Sequence, residues 1–335
     1  MAYTDIDDPS AYFQTTLYTG DGNAQDVTNT GNSDLQPDWV WIAMRSDADN
    51  KIWYDAVRGV TKRLVSNLSS AEATVSDMVT AFNSDGFSVG TNSNVTGDTK
   101  TFVGWQWKEQ AGVFDIVSYT GSGSAKTVSH SLSAVPKMII VKARSSSGQW
   151  AVQHGSLGAT KWTELDSTAA TDFSTTIWNN TEPTSSVFTV GTNARTNANG
   201  TTYIAYVFAE KKGYSKFGSY VGNGNADGTF VYTGFKPAFV MIKASNAVKD
   251  WKMIDNKRNP AGLGGANPVR YRLAANTTAA TSDDGDGQDF TSQGFKFRTT
   301  DSHMNGSGTT YIYMAFAENP FVTSTDNGSI PATAR

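Results

Sequence analysis

The chain repeats one pattern three times, and this repetition constrains its fold more than any other feature of the sequence. A tyrosine followed by a Gly-x-Gly turn recurs as Tyr18, Tyr119 and Tyr220, with a step of 101 residues each time. Four further landmarks follow each tyrosine in the same order: a proline before an apolar run, a polar residue eighteen positions later, a phenylalanine, and an aromatic run that ends in glutamate. They are Pro37, Pro136 and Pro237; Asp55, His154 and Asp255; Phe87, Phe188 and Phe295; and Glu109, Glu210 and Glu318. Such self-similarity predicts three copies of one structural unit, with the three tyrosines in equivalent environments.

The landmarks also predict the domain boundaries. We expect module 1 at residues 11–111, module 2 at 112–212 and module 3 at 213–320. Residues 1–10 and 321–335 are expected to form an N-terminal and a C-terminal arm. Because the linkers between the landmarks of successive modules are very short, neighbouring modules are expected to touch.

Each module is predicted to be all-β. In module 2, short alternating or apolar runs predict strands near residues 115–119, 126–130, 137–143, 150–154, 161–165, 186–190 and 202–209. Regular short strands separated by turns rich in Gly, Ser and Asn indicate a β-sandwich, with a jelly-roll-like topology favoured over an immunoglobulin-like one. Each sandwich is expected to bury its own core. One helical turn per module is predicted around residues 69–75, 169–173 and 276–280.

Composition excludes several classes of function. The 27 basic and 31 acidic residues are spread evenly, so no basic run is available to bind nucleic acid. The chain has no Cys, which excludes thiolate chemistry and disulfide staples. No apolar run is long enough to insert into a membrane, and the N-terminus lacks the pattern of a secretory signal. We therefore expect synthesis in the cytoplasm, and release by lysis if the protein acts outside.

Two charge pairs at matched positions are candidate binding residues. Asp55 is followed three residues later by Arg58, and Asp255 by Arg258. One hypothesis is a charge pair that fixes a loop, and the other is a pair that contacts a ligand. Module 2 has His154 at the position of the aspartates and no arginine three residues on, which argues against a shared catalytic role.

The remaining acidic residues give no predicted catalytic site. The glutamates that close the modules occur once per module, whereas glycoside hydrolysis needs two carboxylates within about 5–10 Å. Three histidines without ligand spacing predict no metal and no cofactor. The one dense acidic run is a candidate for weak Ca²⁺ binding or for a solvated loop, and its carboxylates belong to Asp283, Asp284, Asp286 and Asp289.

Aromatic side chains are the candidates for contact with sugars. Most of the 9 tryptophans are expected in the core, and Trp39, Trp41 and Trp105 in the core or at contacts between modules. Trp178 stands in a predicted loop and is the candidate that we expect to be exposed.

The chain resembles a module found in virion proteins of marine bacteriophages, such as phages of cyanobacteria and of abundant marine heterotrophs. The resemblance is carried by residues 217–228 (FGSYVGNGNADG), 232–243 (YTGFKPAFVMIK), 6–13 (IDDPSAYF), 35–42 (LQPDWVWI) and 315–320 (AFAENP). It covers nearly the whole chain and implies a tail-fibre-like structural protein, without catalytic residues.

The sequence and the resemblance together favour a virion structural protein, made in the host cytoplasm and released by lysis. We expect it to act in an appendage, in assembly and host-surface attachment, and not as an enzyme. A capsid decoration protein and a glycan-binding lectin module are the alternatives, and a glycan-degrading enzyme is disfavoured. Its expected partners are further copies of itself, in a homo-oligomer for which a trimer is one option, other virion proteins and a host-surface glycan.

Overall fold

The computed structural model describes Thr4 and residues 6–259 and 267–320, apart from the side chain of Asp284. The predicted C-terminal arm, residues 321–335, lies outside the described residues. Part of the predicted N-terminal arm is described, and it includes a 3-10 helix at Pro9–Ala11 capped by the Asp8 side chain.

The regular secondary structure of the described chain is almost entirely β-strand, which confirms the predicted all-β class. Module 1 contains β1 Phe13–Thr19, β2 Gln25–Thr28, β3 Trp39–Met44, β4 Ile52–Asp55, β5 Lys62–Val65, β6 Ala73–Thr74, β7 Val79–Asn83, β8 Gly86–Val89, α1 Ser93–Thr96 and β9 Thr101–Trp107. Module 2 contains β10 Phe114–Thr120, β11 Lys126–Ser129, β12 Pro136–Ala143, β13 Ala151–His154, β14 Lys161–Glu164, β15 Asp172–Phe173, β16 Val187–Val190, α2 Ala194–Asn197 and β17 Thr202–Ala209. Module 3 contains β18 Ser215–Val221, β19 Phe230–Tyr232, β20 Phe235–Ala244, β21 Lys252–Asp255, β22 Val269–Ala274, β23 Ser282–Thr291, β24 Gly294–Phe297 and β25 Thr310–Pro320.

The three modules share one antiparallel sheet order. In each module the last strand, called the closing strand (β9, β17 or β25), lies between the first strand and the strand at the landmark proline, giving β1-β9-β3-β4-β5-β6 in module 1 and β10-β17-β12-β13-β14-β15 in module 2. Module 3 begins in the same way, as β18-β25-β20-β21-β22, and continues through β23 and β24 to β19. The counterparts of β24 and β19 in the other modules form small separate sheets, β2-β8-β7 and β11-β16.

The three landmark tyrosines occupy equivalent environments, as the repeat predicts. Each ring stacks on the second residue of its closing strand, with centroids 5.1 Å apart for Tyr18 on Phe102, 5.2 Å for Tyr119 on Tyr203 and 5.0 Å for Tyr220 on Tyr311. Each ring also meets the landmark phenylalanine edge to face, at 6.1, 6.1 and 6.3 Å for Phe87, Phe188 and Phe295. The repeat in sequence is therefore a repeat in packing.

Each main sheet buries both of its faces, and one face belongs to a core that all three modules share. Successive side chains of a strand point to opposite faces, so the closing strands supply two sets of residues. Trp105, Tyr206 and Phe316 lie in the shared central core, whereas Phe102 and Tyr203 lie in cores that belong to modules 1 and 2 alone. The prediction that each module buries its own core was incomplete, because the side chains of the central core come from three modules.

Backbone hydrogen bonds between modules close the three modules into a ring. The amide of Gly148 in module 2 donates to Ser69 of module 1, and the matched amides do the same around the ring: Lys249 donates to Thr168, and Asp49 donates to Thr278. The three N···O distances are 2.8, 3.0 and 2.8 Å. Module 2 thus binds module 1, module 3 binds module 2, and module 1 binds module 3.

The predicted helical turns were wrong, and the ring explains why. The segment around Glu72 donates its amide to the Arg144 carbonyl of module 2 at 2.9 Å and then forms β6. An extended segment satisfied by a neighbouring module has no need of helical hydrogen bonds. The two short helices, α1 and α2, lie instead just before the closing strands, and Asn92 and Asn193 cap them.

Candidate functional site

The two predicted Asp–Arg pairs lie buried at contacts between modules. Asp55 and Arg58 join through Oδ2 and Nε at 2.5 Å, and the Arg58 amide donates to Oδ1 at 2.8 Å. Asp255 and Arg258 repeat both distances. The aspartate side chain thus caps the turn that follows its strand and fixes the arginine beside it, as expected for a charge pair that fixes a loop.

The same aspartates also join neighbouring modules. The Tyr206 hydroxyl of module 2 donates to Asp55 Oδ2 at 2.6 Å, and Trp105 Nε1 of module 1 donates to Asp255 Oδ2 at 2.9 Å. Tyr206 and Trp105 occupy the same position in β17 and β9. Hydrogen bonds to a buried charge are stronger than bonds between neutral groups, so these two positions hold the ring closed.

His154 completes the set in a different way. At its contact the matched position of β25 is Met314, which has no donor to offer an aspartate. His154 Nε2 instead donates to the Tyr313 carbonyl of module 3 at 3.0 Å, while Nδ1 accepts from the Ser156 amide. Burial lowers the pKa of His154 to about 4, so the neutral imidazole bridges the two modules. The residue at this position in each module therefore suits the group that faces it from the next module.

Three buried lysines form a second ring of contacts between modules. They donate to carbonyl oxygens of the neighbouring module, namely Lys51 to Thr278 (3.3 Å) and Ala279 (3.0 Å), Lys142 to Ser69 (3.3 Å) and Lys243 to Thr168 (2.8 Å). Burial lowers the pKa of each ammonium to about 8. Lys142 and Lys243 share one position, which is Ala43 in module 1. There the ammonium comes from Lys51, at a position that is tryptophan in the other two modules, so each contact receives one buried lysine.

The landmark glutamates do not converge on one site. Glu210 pairs with Lys216 and Glu318 with Lys236, each at 2.6 Å. Glu109 instead has Asp38 and Asp115 nearby, and it accepts the Ile116 amide at 2.6 Å. Burial raises the pKa of Glu109 to about 7, and the two aspartates add to the effect.

The described carboxylates of the acidic run form ion pairs with arginines. Asp283 pairs with Arg270 at 2.9 Å, Asp286 with Arg272 at 3.2 Å and Asp289 with Arg298 at 2.7 Å. The side chain of Asp284 lies outside the described residues. Within the described part of the chain, no three His, Asp or Glu side chains are grouped so that they could hold a metal ion.

The expectation that Trp178 is exposed was wrong. Its side chain is 0% exposed and packs in the core of module 2 with Ile177 and Phe188. The next two residues, Asn179 and Asn180, adopt left-handed backbone conformations and form the exposed turn in its place. The internal repeat could have indicated that Trp178 is buried, because Trp178 matches Val79, a buried strand residue of module 1.

Phe173 is the exposed aromatic that sequence reasoning missed. It is 65% exposed and lies at a groove of about 610 Å³ between modules 2 and 3. Leu157 and Ile312 supply apolar surface to the groove, and Ser219 and Ser245 supply hydroxyl groups. The other lining residues are mostly polar and include Lys161 and Asp172, so the groove offers a small apolar patch among polar groups, and its volume is in the usual range of ligand pockets.

At the matched contact between modules 1 and 2, charged side chains occupy the positions that line the groove. Arg144 donates to Glu72 from Nε at 2.9 Å and from Nη2 at 3.1 Å, and to Ser118 from Nη1 at 3.2 Å. Arg58 reaches the same glutamate at 3.3 Å. At the matched positions, modules 2 and 3 have the smaller or uncharged residues Ser245, Thr171, Ser219 and Leu157.

Two further findings concern the chain as a whole. In the part of the chain that the structure describes, no helix combines the length and apolar character needed to cross a membrane. Residues 8–320 match one protein family, described as a domain of unknown function (DUF7483). No curated protein matches the chain.

Proposed function

Since the chain belongs to the DUF7483 family, we propose its function from its own geometry: it is a structural protein of a bacteriophage virion that serves in an appendage. The observation that carries the proposal is the closed ring. Three modules share one core and are joined at every contact by a buried polar residue at the position of Asp55. A rigid head of this kind suits a part that presents surface loops to a host cell, because little entropy is lost when preformed loops bind.

The resemblance to virion proteins of marine bacteriophages supports the same proposal. It implies a tail-fibre-like protein that mediates assembly and host-surface attachment and has no enzymatic activity. We propose that each module is a jelly-roll-like sandwich within the boundaries given by the repeat. A virion protein made in the host cytoplasm is released by lysis, and its partners are other virion proteins and further copies of itself.

The ring changes how many copies of the chain a threefold appendage needs, and so it affects the expectation of a homotrimer. Threefold assemblies are usually built from three identical chains, whereas here three modules close a ring within one chain. A head on a threefold appendage can therefore be supplied by one copy. Association of several chains would use surfaces outside the ring contacts.

Quantitative mass spectrometry of purified phage particles tests the proposal. We expect the protein in the particles at about six to eighteen copies, as the closed symmetry of a tail appendage gives. Hundreds of copies would show the alternative, a capsid decoration protein. Absence from particles whose genome encodes the protein would refute a virion role.

The groove favours a second candidate function, binding of a neutral glycan. A sugar presents apolar C–H faces and hydroxyl groups together, and Phe173, Leu157 and the two serines of the groove offer both kinds of contact. A glycan array tests this. Binding should be lost in Phe173→Ala and kept in Tyr232→Ala, which removes an exposed aromatic outside the groove. Equal signals from the two variants would show that the groove is not the site.

A further inference from the structure

The three contacts between modules include one position where a carboxylate is present in one contact and missing in another. Between modules 1 and 2, Glu72 stands between two arginines. It accepts from Arg144 Nε at 2.9 Å and from Arg58 Nη1 at 3.3 Å. One carboxylate thus satisfies two guanidinium groups that come from different modules.

The contact between modules 3 and 1 has both arginines and no glutamate. Arg258 matches Arg58, because both donate their amides to the aspartate three residues earlier at 2.8 Å. Arg45 matches Arg144, because both follow the landmark strand and donate their amides to the start of the closing strand at 2.7 Å. Thr281 matches Glu72, since its amide donates to the Arg45 carbonyl as that of Glu72 does to Arg144.

The two arginines lack partners at the atoms that the glutamate would bind. Arg45 Nε and Arg258 Nη1 are buried and have no hydrogen-bond partner among the described residues. In the contact of modules 1 and 2, the same two atom types bind Glu72. The Thr281 hydroxyl is a third buried polar atom without a described partner. Three unsatisfied donors at one position form the complement of an anion.

The arginines cannot easily turn away to find other partners. Arg258 is 0% exposed, and Asp255 holds its Nε at 2.5 Å while the Met253 carbonyl holds Nη2 at 3.0 Å. Its guanidinium also lies over the Trp105 ring, 5.2 Å from the centroid. Burial and then the charge of Arg258 lower the pKa of Arg45, so the two cations are close enough to repel each other. Buried donors without partners cost stability, and a bound anion would recover it.

We propose that the contact between modules 3 and 1 is a binding site for the carboxylate of an external ligand, held by Arg45, Arg258 and the hydroxyl of Thr281. A planar carboxylate can accept from Arg45 Nε and Arg258 Nη1 together, as that of Glu72 does from the matched arginines, and it suits this arrangement better than a spherical ion does. Threonine is shorter than glutamate and has no carboxylate, so residue 281 cannot itself satisfy the two guanidinium groups as Glu72 does. The contact between modules 2 and 3 lacks both arginines, so the site occurs once in the ring. The inference goes beyond the virion proposal and does not depend on it.

Thermal unfolding of the whole chain with small probe ligands tests the site. Propionate and glucuronate supply the carboxylate alone and on a sugar, while glucose and chloride lack it. We expect a saturable rise in Tm with propionate and with glucuronate. A rise with both shows that the carboxylate suffices, and a rise with glucuronate alone shows that the ligand is an acidic sugar. No rise with either, or an equal rise with chloride, would overturn the proposal.

Variants locate the site. Arg45→Gln should weaken carboxylate binding by at least about tenfold, the loss expected for one charge-assisted pair. Thr281→Glu should supply the carboxylate from within, as Glu72 does, so that Tm rises without ligand and the response to ligand disappears. Arg144→Gln is the control, because it breaks the matched internal pair and should leave the response unchanged. A normal response in Thr281→Glu would place the binding elsewhere and overturn the assignment.

Discussion

The bond between Tyr206 and Asp55 gives the sharpest test of the closed ring, because one hydroxyl can be removed without changing the shape of the core. Tyr206 and Asp55 are both 0% exposed, and the hydroxyl donates to the carboxylate at 2.6 Å. Tyr206→Phe removes one oxygen atom and with it two hydrogen bonds between modules 1 and 2, the one donated to Asp55 and one accepted from Arg58 Nη2 at 3.3 Å.

The loss in free energy of unfolding depends on the hydrogen bonds that the Asp55 carboxylate retains in the variant. A hydrogen bond to a charged group contributes about 1.5–3 kcal/mol. Because Asp55 retains the Arg58 side chain and amide at 2.5 and 2.8 Å, it is not left unpaired, and we expect about 2 kcal/mol. For roughly 300 ordered residues the unfolding entropy is about 0.6 kcal/mol per kelvin, so Tm should fall by about 3 °C.

Equilibrium denaturation of a double-mutant cycle measures the contact itself. Asp55→Asn combined with Tyr206→Phe should cost less than the sum of the two single variants by about 1 kcal/mol, since each removes the same bond. Tyr203→Phe is the control, because that hydroxyl donates to Ala194 within its own module at 2.6 Å and should not couple to Asp55. Additivity of Asp55→Asn and Tyr206→Phe within about 0.5 kcal/mol would refute the claim that this bond holds the modules together.

Two further predictions concern pH and are read from unfolding curves at several pH values. Glu109 has a folded pKa of about 7, above its ordinary value, so the stability that it contributes is present at low pH and is lost as pH rises through 7. Glu109→Gln should remove this loss. Glu210→Gln, the control, breaks the ion pair with Lys216 and should destabilise the protein at neutral pH. Similar pH profiles for the two variants would contradict the raised pKa of Glu109. His154 has a folded pKa of about 4, below its ordinary value, so its contribution is present above pH 6.5 and is lost as pH falls through 4. His154→Gln should reduce this loss of stability at acid pH. An unchanged loss would show that the neutral imidazole does not bridge the modules.

Local patterns predict the strands of this protein well. In module 2 every predicted strand appears within about two residues of its observed bounds, and the landmark tyrosines pack alike. Alternation of side chains along a strand is a local property, so periodicity in the sequence is enough to find it. The all-β class follows from the same patterns.

Contacts between modules could not be predicted in this way. The bond between Asp55 and Tyr206 joins residues 151 positions apart, and a single module gives no sign of which residue will face it. Exposure was misjudged for the same reason. Trp178 looks exposed because a run of polar residues follows it, yet it fills a core position, while Phe173 is exposed beside a groove that exists only where two modules meet.

The single chain explains how the three contacts came to differ. In a trimer of identical chains, one substitution changes all three contacts at once, so a buried arginine and its glutamate must be kept together everywhere or lost everywhere. Here each contact has its own residues: Arg58, Glu72 and Arg144 form a complete set in the first, and Leu157 and Thr171 stand at matched positions in the second. The third keeps the arginines and lacks the carboxylate. Since the complete set shows that this fold can place a second carboxylate between the two arginines, a contact that holds both arginines and only Asp255 is better explained by a carboxylate that comes from outside than by an error of packing.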